Sequence, residues 1–341
     1  MILRALEPAD LTSLAELCAR SEIAAEVEAP PTERALQSAP GTHAALGAFE
    51  GERLAGAAGM TALDRPRLRH VGRAWVAADP LAAGPLLVAL RDVAARWWRL
   101  DRLALSLPAE TRMGPALAAA GFQAEVRRRR GLMGAHGPED GVDHAWVRDG
   151  LSFTPSPPEL ARGPRRPLPA SLELRSAVPE DAAAVARVYA DRSAIWGTLQ
   201  VPFTPAEVWR ARMTMGEPGR NRLFLAVVEG EVVGTCGLHR DPSPRRPHVW
   251  SMGMGMVAGW QGRGLGGVMM RHLLAAAAEL GVGRLELEVY DDNTRAIALY
   301  ERHGFVREGV RRLAVWRDGG HVDVLVMARL PPLRGGAHPP A

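Results

Sequence analysis

The residues with the most chemical content lie between Val257 and Leu280. Gln261-Gly262-Arg263-Gly264-Leu265-Gly266-Gly267 follows an alternating apolar run, Trp250 to Val257, and precedes a helical apolar pattern that lasts through Leu280. A strand, a glycine-rich turn and a helix N-terminus together aim several backbone N–H groups at one point, where a pyrophosphate can supply the acceptors those amides lack. Glycine is needed because a side chain would hold the phosphate oxygens off the backbone. A glycine cluster by itself would also serve an ordinary strand-to-helix turn. A dinucleotide fold is excluded by position, because its glycines follow the first strand of an alternating parallel unit, with an acidic residue about twenty positions on. Here the loop comes after an antiparallel hairpin, deep in its half of the chain.

The elements that must position this loop occur twice. Leu3-Arg4-Ala5-Leu6-Glu7-Pro8-Ala9-Asp10 matches Leu174-Arg175-Ser176-Ala177-Val178-Pro179-Glu180-Asp181, each a short strand and then a helix start with an acid that satisfies free amides. Phe49-Glu50-Gly51-Glu52 answers Val228-Glu229-Gly230-Glu231 as hairpin turns. Asp101 to Leu105 answers Gly283 to Leu287, and Ala120-Gly121-Phe122 answers His303-Gly304-Phe305. Both halves therefore read strand, helix, antiparallel strands, helix, strand, helix, strand, an α+β order. A proline-loaded stretch, 151–171, reads as a linker between domains at 1–150 and 172–330, and 331–341 as a disordered tail.

Composition narrows the function class. The 341 residues are 47% hydrophobic and 23% charged, the balance of a globular protein with room for two cores. No run is long enough to span a bilayer, and the start lacks a secretory pattern, so a cytoplasmic, membrane-free protein is expected. All 42 basic residues are arginine, at a net charge of only +4. The one basic run, Arg127 to Arg130, is placed at a strand end, facing solvent or phosphate, and nucleic acid is not expected as a partner. Cys18 and Cys236 have no metal-ligand spacing, so no metal is expected and both read as structural thiols.

The loop looks like the Gln/Arg-x-x-Gly-x-Gly/Ala motif of the GNAT (Gcn5-related) N-acetyltransferase superfamily, and Leu287 to Phe305 resembles that family's second cofactor segment. The resemblance spans about 172–330. It implies a mostly antiparallel sheet flanked by helices, in tandem copies, and acetyl-CoA as acetyl donor to a primary amine attacking in a ternary complex. It implies cofactor contacts at Met254, Met256, Val257, Gln261, Gly262, Arg263, Gly264, Leu265, Gly266, Gly267, Asn293, Ala296 and Tyr300. The strand through Met256 is expected to bulge and splay, its Met256 N–H meeting the thioester carbonyl. Tyr300 looks like the acid that protonates the departing thiolate, although its spacing equally fits a core residue of an amphipathic helix. Glu288 resembles the base of some members and equally fits a solvent-facing carboxylate; His248 and His321 are lesser candidates.

Gly197-Thr198-Leu199-Gln200-Val201-Pro202-Phe203 looks like the Thr-Leu-Gln-x-Pro segment of bacterial L-amino-acid N-acetyltransferases, which implies an acceptor site at Thr198, Leu199, Gln200 and Phe203. Arg210, Arg212 or Arg222 could pair an amino-acid carboxylate. Protein N-termini, aminoglycosides and a thiol-precursor amine are the alternative acceptors, and a CoA-responsive module without catalysis is the alternative class. Opposite the loop, the first half offers Asp79-Pro80-Leu81-Ala82-Ala83-Gly84, and opposite Tyr300 it offers Leu117. Pro80 has no N–H and Asp79 is anionic, so this copy is expected to be degenerate, and the protein a monomer with pseudo-dimeric packing or a homodimer.

Overall fold

The computed structural model describes residues 1–20, 23, 43–151, 167–201, 203–214 and 219–331. Most of the expected linker, Pro202 and the tail beyond Pro331 lie outside the described residues. The elements in chain order are β1 (Ile2–Ala5), α1 (Leu11–Ala19), β2 (His43–Glu50), β3 (Arg53–Ala62), β4 (Val71–Ala78), α2 (Pro80–Arg96), β5 (Arg102–Pro108), α3 (Gly114–Ala119), β6 (Gln123–Gly134) and β7 (Gly137–Val147). They continue as β8 (Glu173–Ser176), α4 (Ala182–Val188), α5 (Arg192–Trp196), α6 (Ala206–Thr214), β9 (Asn221–Val228), β10 (Glu231–Arg240), β11 (Val249–Met256), α7 (Leu265–Glu279), β12 (Arg284–Tyr290), α8 (Thr294–Arg302), β13 (Val306–Arg317) and β14 (Gly320–Arg329). No helix among the described residues is long and apolar enough to cross a membrane.

The chain forms two compact units. The first comprises Met1–Pro155 together with Ser243–Arg246 and Glu308–Val324, so most of the last hairpin, distant in sequence, belongs to it. Its strands run β1-β2-β3-β4-β5-β7-β6-β13, with β4 and β5 parallel and the other pairs antiparallel. Leu86, Leu87 and Leu90 of α2 bury against Ala58, Met60, Val76 and Leu103 of the sheet. The β13–β6 contact sits at Gly309, where an added Cβ would meet the Glu125 carbonyl oxygen at 2.1 Å, so only glycine lets the backbones approach.

Buried carboxylates hold this edge. Glu125 takes both Arg102, at 2.6 Å, and Arg312, at 2.8 Å. Asp143 takes Arg128 and Arg311, and these two cations hold its carboxyl well below the usual carboxylate range against the opposing cost of burial. The basic run is thus not at a strand end. It lies inside β6, at a register shift between Arg128 and Leu132, with Arg127 on Asp140, Arg128 on Asp143 and Arg129 on Glu308. Neighbouring acids, distant in sequence, spend the charge that looked available to phosphate.

The second unit comprises Ser156–Pro242, Pro247–Arg307 and Leu325–Ala341. Its strands run β8-β9-β10-β11-β12, with β8 to β11 antiparallel and β11 parallel to β12. Period-two alternation sorts β9 between two cores. Phe224, Ala226 and Val228 face Met269, Leu273, Ile297 and Tyr300 of α7 and α8, and Leu225 and Val227 face Val185, Ile195 and Trp209 of α4 to α6. This is a mixed α+β fold with a mostly antiparallel sheet flanked by helices.

Candidate functional site

Glycine geometry builds the head of α7. Gly262 and Gly264 have φ of 76° and 93°, a region that costs an L-residue about 1–2 kcal/mol. Gly264 is the N-cap and has no side chain to satisfy the helix start. Its carbonyl oxygen accepts from Gly267 and Val268, so the N–H groups of Leu265 and Gly266 lie ahead of the helical ladder. A Cβ on Gly266 would stand 3.1 Å from Leu299 and 3.4 Å from the Met256 side chain, so the loop, α8 and the end of β11 converge there. Two guanidinium groups flank it. Arg295 Nη2 lies 3.5 Å from where a Gly262 Cβ would be, and Arg263 stacks over Trp260 at 4.6 Å with its Nε buried and without a hydrogen-bond partner among the described residues. Free amides, close-approach glycines and two cations fit the diphosphate of coenzyme A.

The strand before the loop parts from its neighbour. β11 keeps one register with β10 from Arg240↔Trp250 to Gly234↔Met256, and the bond from Val257 N–H to the Val233 carbonyl, 3.1 Å, continues it. Hydrogen-bonded pairs alternate in an antiparallel ladder, so residues 251, 253 and 255 turn their main-chain groups to β10 while Met252, Met254 and Met256 turn theirs to the other edge. On that edge β12 pairs only at Val249↔Arg284, Trp250↔Leu285 and Ser251↔Glu286. The Met254 and Met256 amides therefore face a parted pair of strands. The expected bulge is absent from this ladder: the register shift lies between Val232 and Gly234 of β10, against β9. Because the parting occurs on the opposite edge, β11 needs no extra residue.

Past the splay, β12 and α8 carry the second motif. Asn293 caps α8, its Oδ1 accepting from the Ala296 N–H at 3.2 Å, and its Nδ2 lies 3.4 Å from a Gly197 Cβ position. Tyr300 is buried in α8, 5.9 Å between ring centres from Phe305, and burial pushes its phenol up to about 12. Glu288 is exposed on β12, between buried Leu287 and Val289. His248 sits at the other end of β11, where its carbonyl oxygen accepts from Gly283 and Arg284. His321 belongs to the first unit, 3.4 Å from Asp101. Cys236 is buried, which raises its thiol to about 12 and leaves it a poor nucleophile.

The residues expected at the acceptor site divide in two. Thr198 offers its carbonyl oxygen to the Tyr290 hydroxyl at 3.0 Å, and Gln200 Oε1 accepts from Arg212 Nη1 at 2.8 Å, with Arg212 stacked 4.7 Å over Trp209. Leu199 and Phe203 are exposed, Phe203 to 88%, and so present apolar surface at this segment. Among the described residues, Arg212 is the one of Arg210, Arg212 and Arg222 bonded to this segment; Arg222 lines a separate cavity of about 390 Å³ with Phe224 and His272. Tyr290, Arg295, Asp191 and Ser193 escaped the sequence reading. Asp191-x-Ser193 ahead of an apolar helix was a legible capping signal, but what else it binds was not.

A parted strand pair beside an uncapped glycine turn is a shape suited to a diphosphate-bearing cofactor lying along a sheet edge. The family model described as the acetyltransferase (GNAT) family matches residues 186–305. The chain is 34% identical over 158 residues, 46% of its length and 96% of the relative's, to the L-amino acid N-acetyltransferase AaaT of Escherichia coli (strain K12). It is 42% identical over 69 residues, 20% of its length and 47% of the relative's, to the ribosomal protein bS18-alanine N-acetyltransferase of Salmonella typhimurium. A phosphinothricin acetyltransferase from Sinorhizobium meliloti, solved with acetyl-CoA, aligns at 18% identity and a TM-score of 0.42 over 47% of this chain and 88% of that one. The chain belongs to the GNAT acetyltransferase family, and its cofactor is acetyl-CoA.

Proposed function

We propose that this acetyltransferase acts on the α-amine of a small L-amino acid with an apolar side chain. The observation that carries the reading is Arg212 on Gln200, a guanidinium held at the acceptor segment where it can take a carboxylate in a bidentate pair. The similarity to the L-amino acid N-acetyltransferase, over nearly all of that protein's length, supports the same choice.

Acetyl-CoA supplies the acetyl group as a thioester. In our reading the amides from Gly262 to Gly267, with Arg263 and Arg295, hold its diphosphate, and the free edge of β11 at Met254 and Met256 aligns its extended arm. The Met256 N–H then donates a hydrogen bond where negative charge develops on the acyl oxygen. Tyr300 keeps its proton at neutral pH, because burial raises it, and gives that proton to the sulfur as the bond breaks. Glu288, on the open face of β12, takes the proton from the incoming amine. The first unit binds no acetyl-CoA in this reading, since Asp79 occupies the head of its equivalent helix.

A thiol-release screen over amino acids, polyamines, aminoglycosides and short peptides tests the acceptor. Apolar amino acids should turn over best, and Arg212→Ala should raise their KM about 10-fold or more, the worth of a charged hydrogen bond. Turnover of peptides alone would overturn the assignment.

A further inference from the structure

The head of α5, which leads into the acceptor segment, and the start of the glycine loop share one hydrogen-bonded ring. Asp191, the N-cap of α5, accepts through Oδ1 from the Ser193 N–H at 2.8 Å and from the Ser193 hydroxyl. Its Oδ2 accepts from the Ala258 N–H at 3.2 Å, just where the chain leaves β11. Ser193 Oγ in turn accepts from Gln261 Nε2 at 2.9 Å, and Gln261 opens the glycine loop. The ring therefore grips both ends of the turn from Ala258 to Gln261. Gln261 bonds its own main chain to Ala258, so the turn moves as a piece. These donors together hold the Asp191 carboxyl below its ordinary range despite burial. A few residues further, the Tyr290 hydroxyl from the second cofactor segment ties down the Thr198 carbonyl.

Capping one turn of α5 requires only the Ser193 and Ala194 amides. The second carboxylate oxygen and the serine hydroxyl oxygen are spent instead on a turn 67 and 68 residues away in sequence, on the side of the loop where the diphosphate is proposed to bind. We infer that Asp191 and Ser193 are positioning residues that couple cofactor occupancy to the order of residues 192–199, which comprise α5 and the start of the acceptor segment. This deepens the reading above and rests on coenzyme A binding at the Gly262–Gly267 loop. A phosphate drawn onto the loop fixes Gln261, which fixes Ser193 and with it α5 and Thr198. By linkage the same free energy must favour acceptor binding once the cofactor is seated.

The test is hydrogen–deuterium exchange on the full chain with and without millimolar coenzyme A, alongside calorimetry. Coenzyme A should slow exchange of the amides of residues 192–199 about 10-fold in the native protein, within the usual range of site coupling. Ser193→Ala and Asp191→Asn should bind coenzyme A yet lose that protection, and Ser193→Thr, which keeps the hydroxyl, should restore it. Calorimetric binding with no change in exchange across 192–199, or equal protection in Ser193→Ala, would overturn the coupling alone. No heat with coenzyme A in the native protein would overturn the coupling and the cofactor site together.

Discussion

The heads of α7 and α2 occupy equivalent places in the two halves and differ in what they offer an anion. Both follow a strand that pairs with its parallel neighbour over three residues only, Val249 to Ser251 in one and Val71 to Arg73 in the other. The parted strands are thus common to both. At α7 the N-cap is Gly264, left-handed and without a side chain; at α2 it is Asp79, extended, with Pro80 as the first helical residue. Asp79 ion-pairs with Arg20 at 2.8 Å and lies 3.6 Å from Arg53. A protein carboxylate, with its own arginines, stands where an external anion would have to bind. The backbone frame is held by the hydrophobic core, whereas anion binding depends on a few exposed atoms.

The contrast between Tyr300 and its counterpart Leu117 gives the largest expected effect. Tyr300→Phe should lower kcat by about 10²-fold or more, as loss of a general acid does, with the coenzyme A Kd unchanged. Equal kcat would return Tyr300 to a packing role like that of Leu117, which is buried in α3. Because the phenol is raised to about 12, native activity should show no alkaline loss from its ionisation below about pH 11.

A change in the first unit should damage stability instead. Asp143→Ala removes the buried carboxylate that Arg128 and Arg311 share and should cost about 3–5 kcal/mol, read by urea unfolding. Its carboxyl is lowered in the fold, so its contribution is complete above the unfolded carboxyl pKa, about 3.9, and is lost as pH falls below that value toward the depressed one. Acid unfolding that is the same in native protein and variant would count against this account.

The helix heads themselves give the smaller effects. Gly264→Ala forces a left-handed alanine and should weaken coenzyme A binding about 5- to 30-fold by calorimetry, the equivalent of 1–2 kcal/mol. Asp79→Ala should change nothing, leaving one coenzyme A per chain, because Pro80 still lacks an N–H. A second equivalent of cofactor in that variant would erase the distinction between the halves.

The amino-acid sequence by itself determined the glycine loop, the Asn293-to-Tyr300 segment and the strand and helix order of the second unit from β9 to α8. These are local patterns in which neighbouring residues dictate one another's geometry. The matched pairs Arg4–Asp10 and Arg175–Asp181, each at 2.7 Å and each closing a 3-10 turn, belong to the same kind. Only the tertiary structure decided that Arg127, Arg128 and Arg129 are spent on acids, that Leu199 and Phe203 are exposed while Arg212 meets Gln200, and that Glu308–Val324 joins the first unit. Each of these depends on partners brought together from far along the chain, and an arginine or a carboxylate carries no local mark of the charge it will meet.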